Sequence, residues 1–192
     1  MLILVRHGRT AANASGVLNG HRDLPLDDIG MGQAKAVAHS IGRIDRMIVS
    51  PLLRAQQTAE AFGVPFETDE RWIEIDYGEF EGKAFGELPP GTWDNWRKDS
   101  SFTPPGGESL DTLDCRVRAA CEELLEEVKT RDVVVVSHVS PIKSAVLWGL
   151  GATVGLSFRC HLDHASVCRV GSSPSGSLTL VGFNDTAHLR ST

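Results

Sequence analysis

This sequence carries no obvious staple. Its four cysteines, Cys115, Cys121, Cys160 and Cys168, include no Cys-x-x-Cys pair. Such usage fits reduced thiols rather than a disulfide framework, and with no signal-peptide pattern after Met1 it predicts a cytoplasmic protein. No staple is needed for stability, because a chain of 192 residues can bury roughly 70% of its unfolded surface. A surplus of positive charge is also missing. The formal charge of −6 speaks against nucleic-acid and membrane partners, so any bound anion must be held by a local basic pocket. Nor is there an uninterrupted apolar span. Residues 133–156 come nearest, but Ser137, His138, Ser140, Pro141 and Lys143 break them into a strand and a helix. Internal repeats and low-complexity segments are absent, and the simplest division is one domain over 1–192.

What is present is an alternation of short apolar runs with helical periods. Leu2-Ile3-Leu4-Val5 reads as a strand buried on both faces. A polar loop follows to Asp27, which caps a predicted helix over 28–41. Met47-Ile48-Val49 is a second strand. Ser50 and Pro51 then predict a helix to about residue 62, with Ser50 as cap and Pro51 at the first position. Residues 66–69 and 72–75 read as extended. Residues 81–107, rich in glycine and proline, read as irregular and as a small lid. Ser109 caps a helix over 110–129, and Val133-Val134-Val135-Val136 is the clearest strand. Pro141 opens another helix, and 165–170 with 177–183 form a closing pair around a turn at 171–176. The alternation predicts a three-layer α/β/α sandwich with a mostly parallel central sheet.

Polar residues gather at three of the predicted strand ends. Arg6 and His7 end the first, Ser50 and Arg54 follow the second, and Ser137 and His138 end the valine strand. Parallel strands put those ends on one edge, where open α/β sheets bind ligands. Two arginines, two histidines and nearby helix N-termini then suit a phosphate dianion. Singly, each of these residues has a structural reading as surface decoration or a satisfied strand-end histidine.

The motifs now have a family. Arg6-His7-Gly8-Arg9-Thr10-Ala11-Ala12-Asn13, Asn19-Gly20-His21-Arg22-Asp23-Leu24-Pro25-Leu26, Ser50-Pro51-Leu52-Leu53-Arg54-Ala55-Gln56-Gln57-Thr58-Ala59, Glu74-Ile75-Asp76-Tyr77-Gly78-Glu79, Ser137-His138 and Asn184-Asp185-Thr186-Ala187-His188 occur in that order. Together they resemble the histidine phosphatase superfamily, in its phosphoglycerate-mutase-like branch, along nearly the whole chain. The resemblance implies that His7 is a nucleophile that becomes a phosphohistidine. A backbone carbonyl is the expected acceptor for the proton on its other ring nitrogen. It implies that Arg6, Arg54 and His138 stabilise charge on the transferring group. It also places Asn13, Thr10, Asn19, Gly20 and the backbone of Val139 around the substrate. Val139 departs from the glycine more usual after that histidine, which puts its backbone contact with phosphate in question.

The resemblance favours Glu74 as proton donor. Periodicity alone leaves Asp76 and Glu79 as competitors, because Glu74 and Asp76 share a face if 72–75 is extended. The implied activity is hydrolysis of a phosphomonoester on a small phosphorylated metabolite, with no cofactor and no metal. Phosphoglycerate mutase-type transfer and a non-catalytic phosphoprotein-binding module are the alternatives, and the protein is a monomer or homodimer. Phe85, Trp93, Trp96 and Phe102 line the pocket or form the lid's own core. The ligand-rich stretch from Cys160 to Cys168 lacks usual zinc-finger spacing, and a strand would point its side chains apart.

Overall fold

Four consecutive valines cannot all face one side of a strand. In this computed structural model, which describes residues 1–173 and 176–190, they divide between two cores. Val133 and Val135 join one core, Val134 and Val136 the other, and all four are fully buried. Leu2 and Leu4 separate from Ile3 and Val5 in the same way. A period of two thus makes one sheet the middle layer. Along the chain the regular elements are β1 (Leu2–Arg6), α1 (Ala11–Ala14), α2 (Asp28–Ser40), β2 (Arg46–Val49), α3 (Leu53–Glu60), β3 (Glu67–Thr68), α4 (Thr92–Lys98), α5 (Leu110–Leu124), β4 (Val133–Ser137), α6 (Val139–Gly149), β5 (Val167–Ser172) and β6 (Leu178–Asp185).

The strand order is β3-β2-β4-β1-β5-β6. The first four strands are mutually parallel; β5 and β6 add antiparallel. Helices α5 and α6 pack on the face of Leu4 and Val135, and α2 and α3 cover the face of Val5 and Val136. This is the three-layer sandwich with a mostly parallel sheet. Val5, Val136 and Val49 lie level across the three central strands. The next residues along each strand therefore emerge together, which brings His7, Ser50 and His138 to one edge.

Local signals explain most boundaries. The Asp27 carboxylate accepts from Gly30 N at 2.8 Å, and the Ser109 hydroxyl accepts from Thr112 N at 3.1 Å, capping α2 and α5. Four expectations fail. The helix expected from Ser50 begins at Leu53 without a side-chain cap, because the Ser50 hydroxyl is engaged by His138 at 2.7 Å. Residues 72–75 are not a strand: a 3₁₀ turn covers Glu70–Trp72, and the chain beyond it is irregular. The helix expected over 110–129 closes at Leu124 and gives way to a separate 3₁₀ turn, Glu127–Lys129. Segment 81–107 is not wholly irregular, since it holds a 3₁₀ turn at Phe85–Glu87 and α4. The expected turn at 171–176 includes residues 174 and 175, which lie outside the described residues.

A close backbone contact fixes the loop after β1 against α2. A Cβ on Gly30 would lie 2.0 Å from Arg9 O, and one on Gly8 would lie 2.4 Å from Gly30 O. Gly32, on the same helix, has nothing within 4 Å of the equivalent position. Gly30→Ala should therefore destabilise the protein by roughly 1–3 kcal/mol through overpacking. Gly32→Ala should stabilise it by about 0.5–1 kcal/mol through the lower chain entropy of alanine. Denaturant midpoints of the two variants test this opposition of sign.

Candidate active site

His7 follows β1 and is 3% exposed. Its Nδ1 lies 2.6 Å from Gly8 O. A carbonyl can only accept, so Nδ1 carries the proton and Nε2 keeps its lone pair. The His138 ring lies 5.0 Å away, centroid to centroid. His138 Nε2 meets Ser50 Oγ, which also accepts from Leu52 N at 3.4 Å. The serine hydrogen has no other acceptor among the described residues, so it is donated to Nε2. That leaves Nδ1 of His138 as a buried N–H with no protein partner.

The two arginines are held by backbone oxygens. Arg6 Nη1 donates to Leu162 O at 2.6 Å. Arg54 donates through Nη1 to Arg22 O at 2.9 Å and through Nη2 to Gly20 O at 2.6 Å. Neither guanidinium forms a salt bridge among the described residues, and each keeps a buried Nε with no partner. Burial lowers Arg6 to about 10, which leaves it charged at neutral pH; burial lowers Arg54 too. The edge thus presents unpaired donors from Arg6, Arg54 and His138 beside a neutral nucleophilic nitrogen, a donor set suited to a phosphoryl group.

Glu74 is 4% exposed. Its carboxylate accepts from Val139 N and Ser140 N, each at 3.1 Å, at the N-terminus of α6, and from Ile75 N at 2.8 Å. The Val139 N–H is therefore spent on Glu74, although the residue itself lies on the cavity wall. Asp76 accepts from Gly78 N and sits 3.7 Å from His21. Neither Asp76 nor Glu79 lies on that wall, which separates Glu74 from its sequence competitors.

A cavity of about 300 Å³ opens at this edge, lined by Arg6, His7, Asn13, Asn19 and Glu74 among others, while Arg54 and His138 stand behind that lining. Asn13 Oδ1 accepts from Thr10 N and Thr10 Oγ1, at 3.0 and 2.9 Å, leaving the Asn13 amide nitrogen without a partner among the described residues. Both amide atoms of Asn19 are buried without partners. Thr10 and Gly20 are not on the wall. Thr10 holds Asn13 through the capping box of α1, and Gly20 gives its carbonyl to Arg54 while its N–H meets Glu81. These two therefore position other side chains. Phe85, Trp93 and Trp96 line the cavity and Phe102 does not; Phe102 packs edge-on against Trp96 at 5.6 Å.

Three contributors escaped the sequence reading. Lys143 and Tyr77 both line the cavity. Lys143 stands one helical turn beyond Val139, a spacing that reports a shared face. Arg116 on α5 donates to Arg71 O, Ile73 O and Glu74 O and is anchored by Glu108, so it fixes the irregular loop carrying the acid. Nothing local in the sequence links Arg116 to residue 74. The Cys160–Cys168 stretch turns its thiols to other work, with Cys160 donating to Leu156 O and Cys168 accepting from Asn184 N.

Burial, then Arg54, hold both imidazoles well below the ordinary histidine pKa of about 6.5. For His7 the next cause is Arg6, and for His138 it is His7. Below about pH 6.5 the unfolded chain binds protons that the folded chain refuses, so stability falls with pH there and is full above it. Denaturant midpoints at pH 7.5 and 5.5 should show this loss, and His138→Gln should show a smaller one.

Comparison with known proteins agrees with the geometry. The family model of the histidine phosphatase superfamily (branch 1) matches residues 2–186. A bifunctional protein of Mycobacterium tuberculosis is 34% identical, over 98% of this chain and 54% of its own. The chain thus spans about half the length of that relative. A probable phosphoglycerate mutase, GpmB, of Yersinia pestis is 33% identical over 97% of this chain and 93% of its own. Among solved structures, a phosphoserine phosphatase mutant of Entamoeba histolytica in complex with phosphoserine has a TM-score of 0.90 at 28% identity, over 98% of both chains. Mycobacterial glucosyl-3-phosphoglycerate phosphatase in complex with VO3 has a TM-score of 0.87 at 28% identity, over 96% of this chain and 98% of its own. With an imidazole, two guanidinium groups and a carboxyl group at one sheet edge and a match running almost end to end, the chain belongs to the histidine phosphatase superfamily, branch 1.

Proposed function

We propose that the protein hydrolyses a phosphomonoester of a small metabolite through a phosphohistidine. The observation that carries this reading is the pairing of His7, whose Nδ1–H is fixed on Gly8 O, with unpartnered buried donors on Arg6, Arg54 and His138. His7 Nε2 attacks phosphorus as the bond from phosphorus to the alcohol oxygen breaks. Glu74 gives its proton to the leaving oxygen. Water then attacks the phosphohistidine, Glu74 takes the proton back, the P–N bond breaks, and orthophosphate leaves. Arg6, Arg54 and a His138 N–H donate to the non-bridging oxygens throughout. Asn13 adds its amide nitrogen, and the wall formed by 81–107 acts as the lid over the alcohol. No step is routed through a metal.

The phosphatase names of the neighbouring structures support hydrolysis. Mutase-type transfer is the second reading, favoured by the relative named a probable phosphoglycerate mutase. The wild-type protein should release phosphate from p-nitrophenyl phosphate in the presence of a chelator, and it should carry an acid-labile phosphoryl label after denaturing quench. His7→Ala should abolish both turnover and label. Glu74→Gln should lower kcat about 10²–10⁴-fold for a poor leaving group. With 3-phosphoglycerate as substrate, orthophosphate is the expected product; 2-phosphoglycerate in its place would establish the mutase reading.

A further inference from the structure

The cavity holds a cation that the phosphoryl chemistry leaves idle. Arg6 and Lys143 are the basic residues on its wall, apart from His7 itself. Arg6 belongs to the cage around phosphorus. The Lys143 ammonium makes no hydrogen bond and no ion pair with any described residue. It is half-buried, and burial lowers its pKa; Glu74 and Cys160 act in the opposite direction, while Arg6 acts with burial. A lysine held in that state without a partner is costly unless a ligand supplies one.

Its placement says what the partner is. Val139, Ser140 and Lys143 share one face of α6, and the first two donate to the Glu74 carboxylate. Lys143 therefore shares the cavity wall with Glu74, acts on it through space, and stands on the helix face that holds its carboxylate. The same wall carries the rings of Phe85, Trp93, Trp96 and Phe158, and its basic side chains besides His7 are Arg6 and Lys143 alone. A second phosphate would need several converging donors, as the first one has; a single ammonium among aromatic rings suits a monoanion.

We infer that Lys143 receives a carboxylate on the alcohol portion of the substrate, so that the protein selects phosphomonoesters of hydroxy acids. This rests on the phosphatase reading, and it makes Lys143 the residue that sets specificity. The half-buried ammonium also explains why the cavity is not simply a slot for an apolar alcohol.

3-Phosphoglycerate and glycerol 1-phosphate differ by a carboxylate in place of a hydroxymethyl group, and they form the test pair. The wild-type protein should prefer the carboxylate about tenfold or more in kcat/KM, the range of one charge-assisted contact. Lys143→Met should bring the ratio close to one, and Lys143→Arg should restore most of it. A wild-type ratio near one, a ratio unmoved in Lys143→Met, or equal losses on both substrates would overturn the inference. So would a preference for glycerol 1,3-bisphosphate over 3-phosphoglycerate. Calorimetric binding of the same pair to His7→Ala, with and without Lys143→Met, reads the selectivity without turnover. Failure of the phosphatase reading, seen as no phosphate release from p-nitrophenyl phosphate, is thereby kept apart from failure of this one.

Discussion

Two guanidinium groups are buried within electrostatic reach of each other and of two imidazoles, and the rest of the site follows from how that repulsion is contained. Among the described residues no carboxylate bonds to either arginine, although Glu74 acts on both through space. The fold surrounds them with peptide carbonyls at Leu162, Arg22 and Gly20. Carbonyl dipoles hold the guanidinium planes in place while leaving their full charge for an anion. Burial first, and then the same field, holds both imidazoles well below the ordinary histidine pKa, so the Nε2 lone pair of His7 is available before any ligand arrives. A carboxylate bonded to either arginine would hold it as well, at the expense of that positive potential.

Such a charge arrangement requires a stiff frame. The β1–β4 register supplies it, with His7 N donating to Ser137 O at 3.0 Å. Ser137 Oγ in turn donates to Trp72 O at 2.6 Å, tying the loop of Glu74 to the strand that precedes His138. His21 adds a bond to Glu74 O, and Arg116 gathers three carbonyls of the same loop. His7, the two arginines and Glu74 are thereby referred to one strand pair. Proton transfer over hydrogen-bond distances depends on that shared reference.

The central strands were legible because burial on both faces leaves runs of aliphatic residues, and the polar residues after Val5, Val49 and Val136 announced the edge. Arg6, His7, Arg54 and His138 could be chosen for that reason. Glu74 could not be separated from Asp76 by spacing, since the loop has no period and is shaped by Arg116 from a distant helix. The resemblance groups Thr10 and Gly20 with Asn13 and Asn19, yet the bonds these two make point back into the protein. Ser50 offered a cap signal that was overridden, because its hydroxyl serves His138 across 88 positions of sequence. Long-range hydrogen bonds of this kind leave no local trace.

The aromatic wall is attached differently. It joins the rest of the chain near Leu18, through Gly82 N to Leu18 O and Leu18 N to Lys83 O, and through a bridge between Val17 and Ala84. None of the side chains of Arg6, His7, Arg54 and His138 hydrogen-bonds to residues 84–103. Substitutions in that stretch can therefore reshape the cavity's aromatic side while breaking none of the hydrogen bonds that hold those four side chains. Cavity shape and charge arrangement are separable properties of this one scaffold.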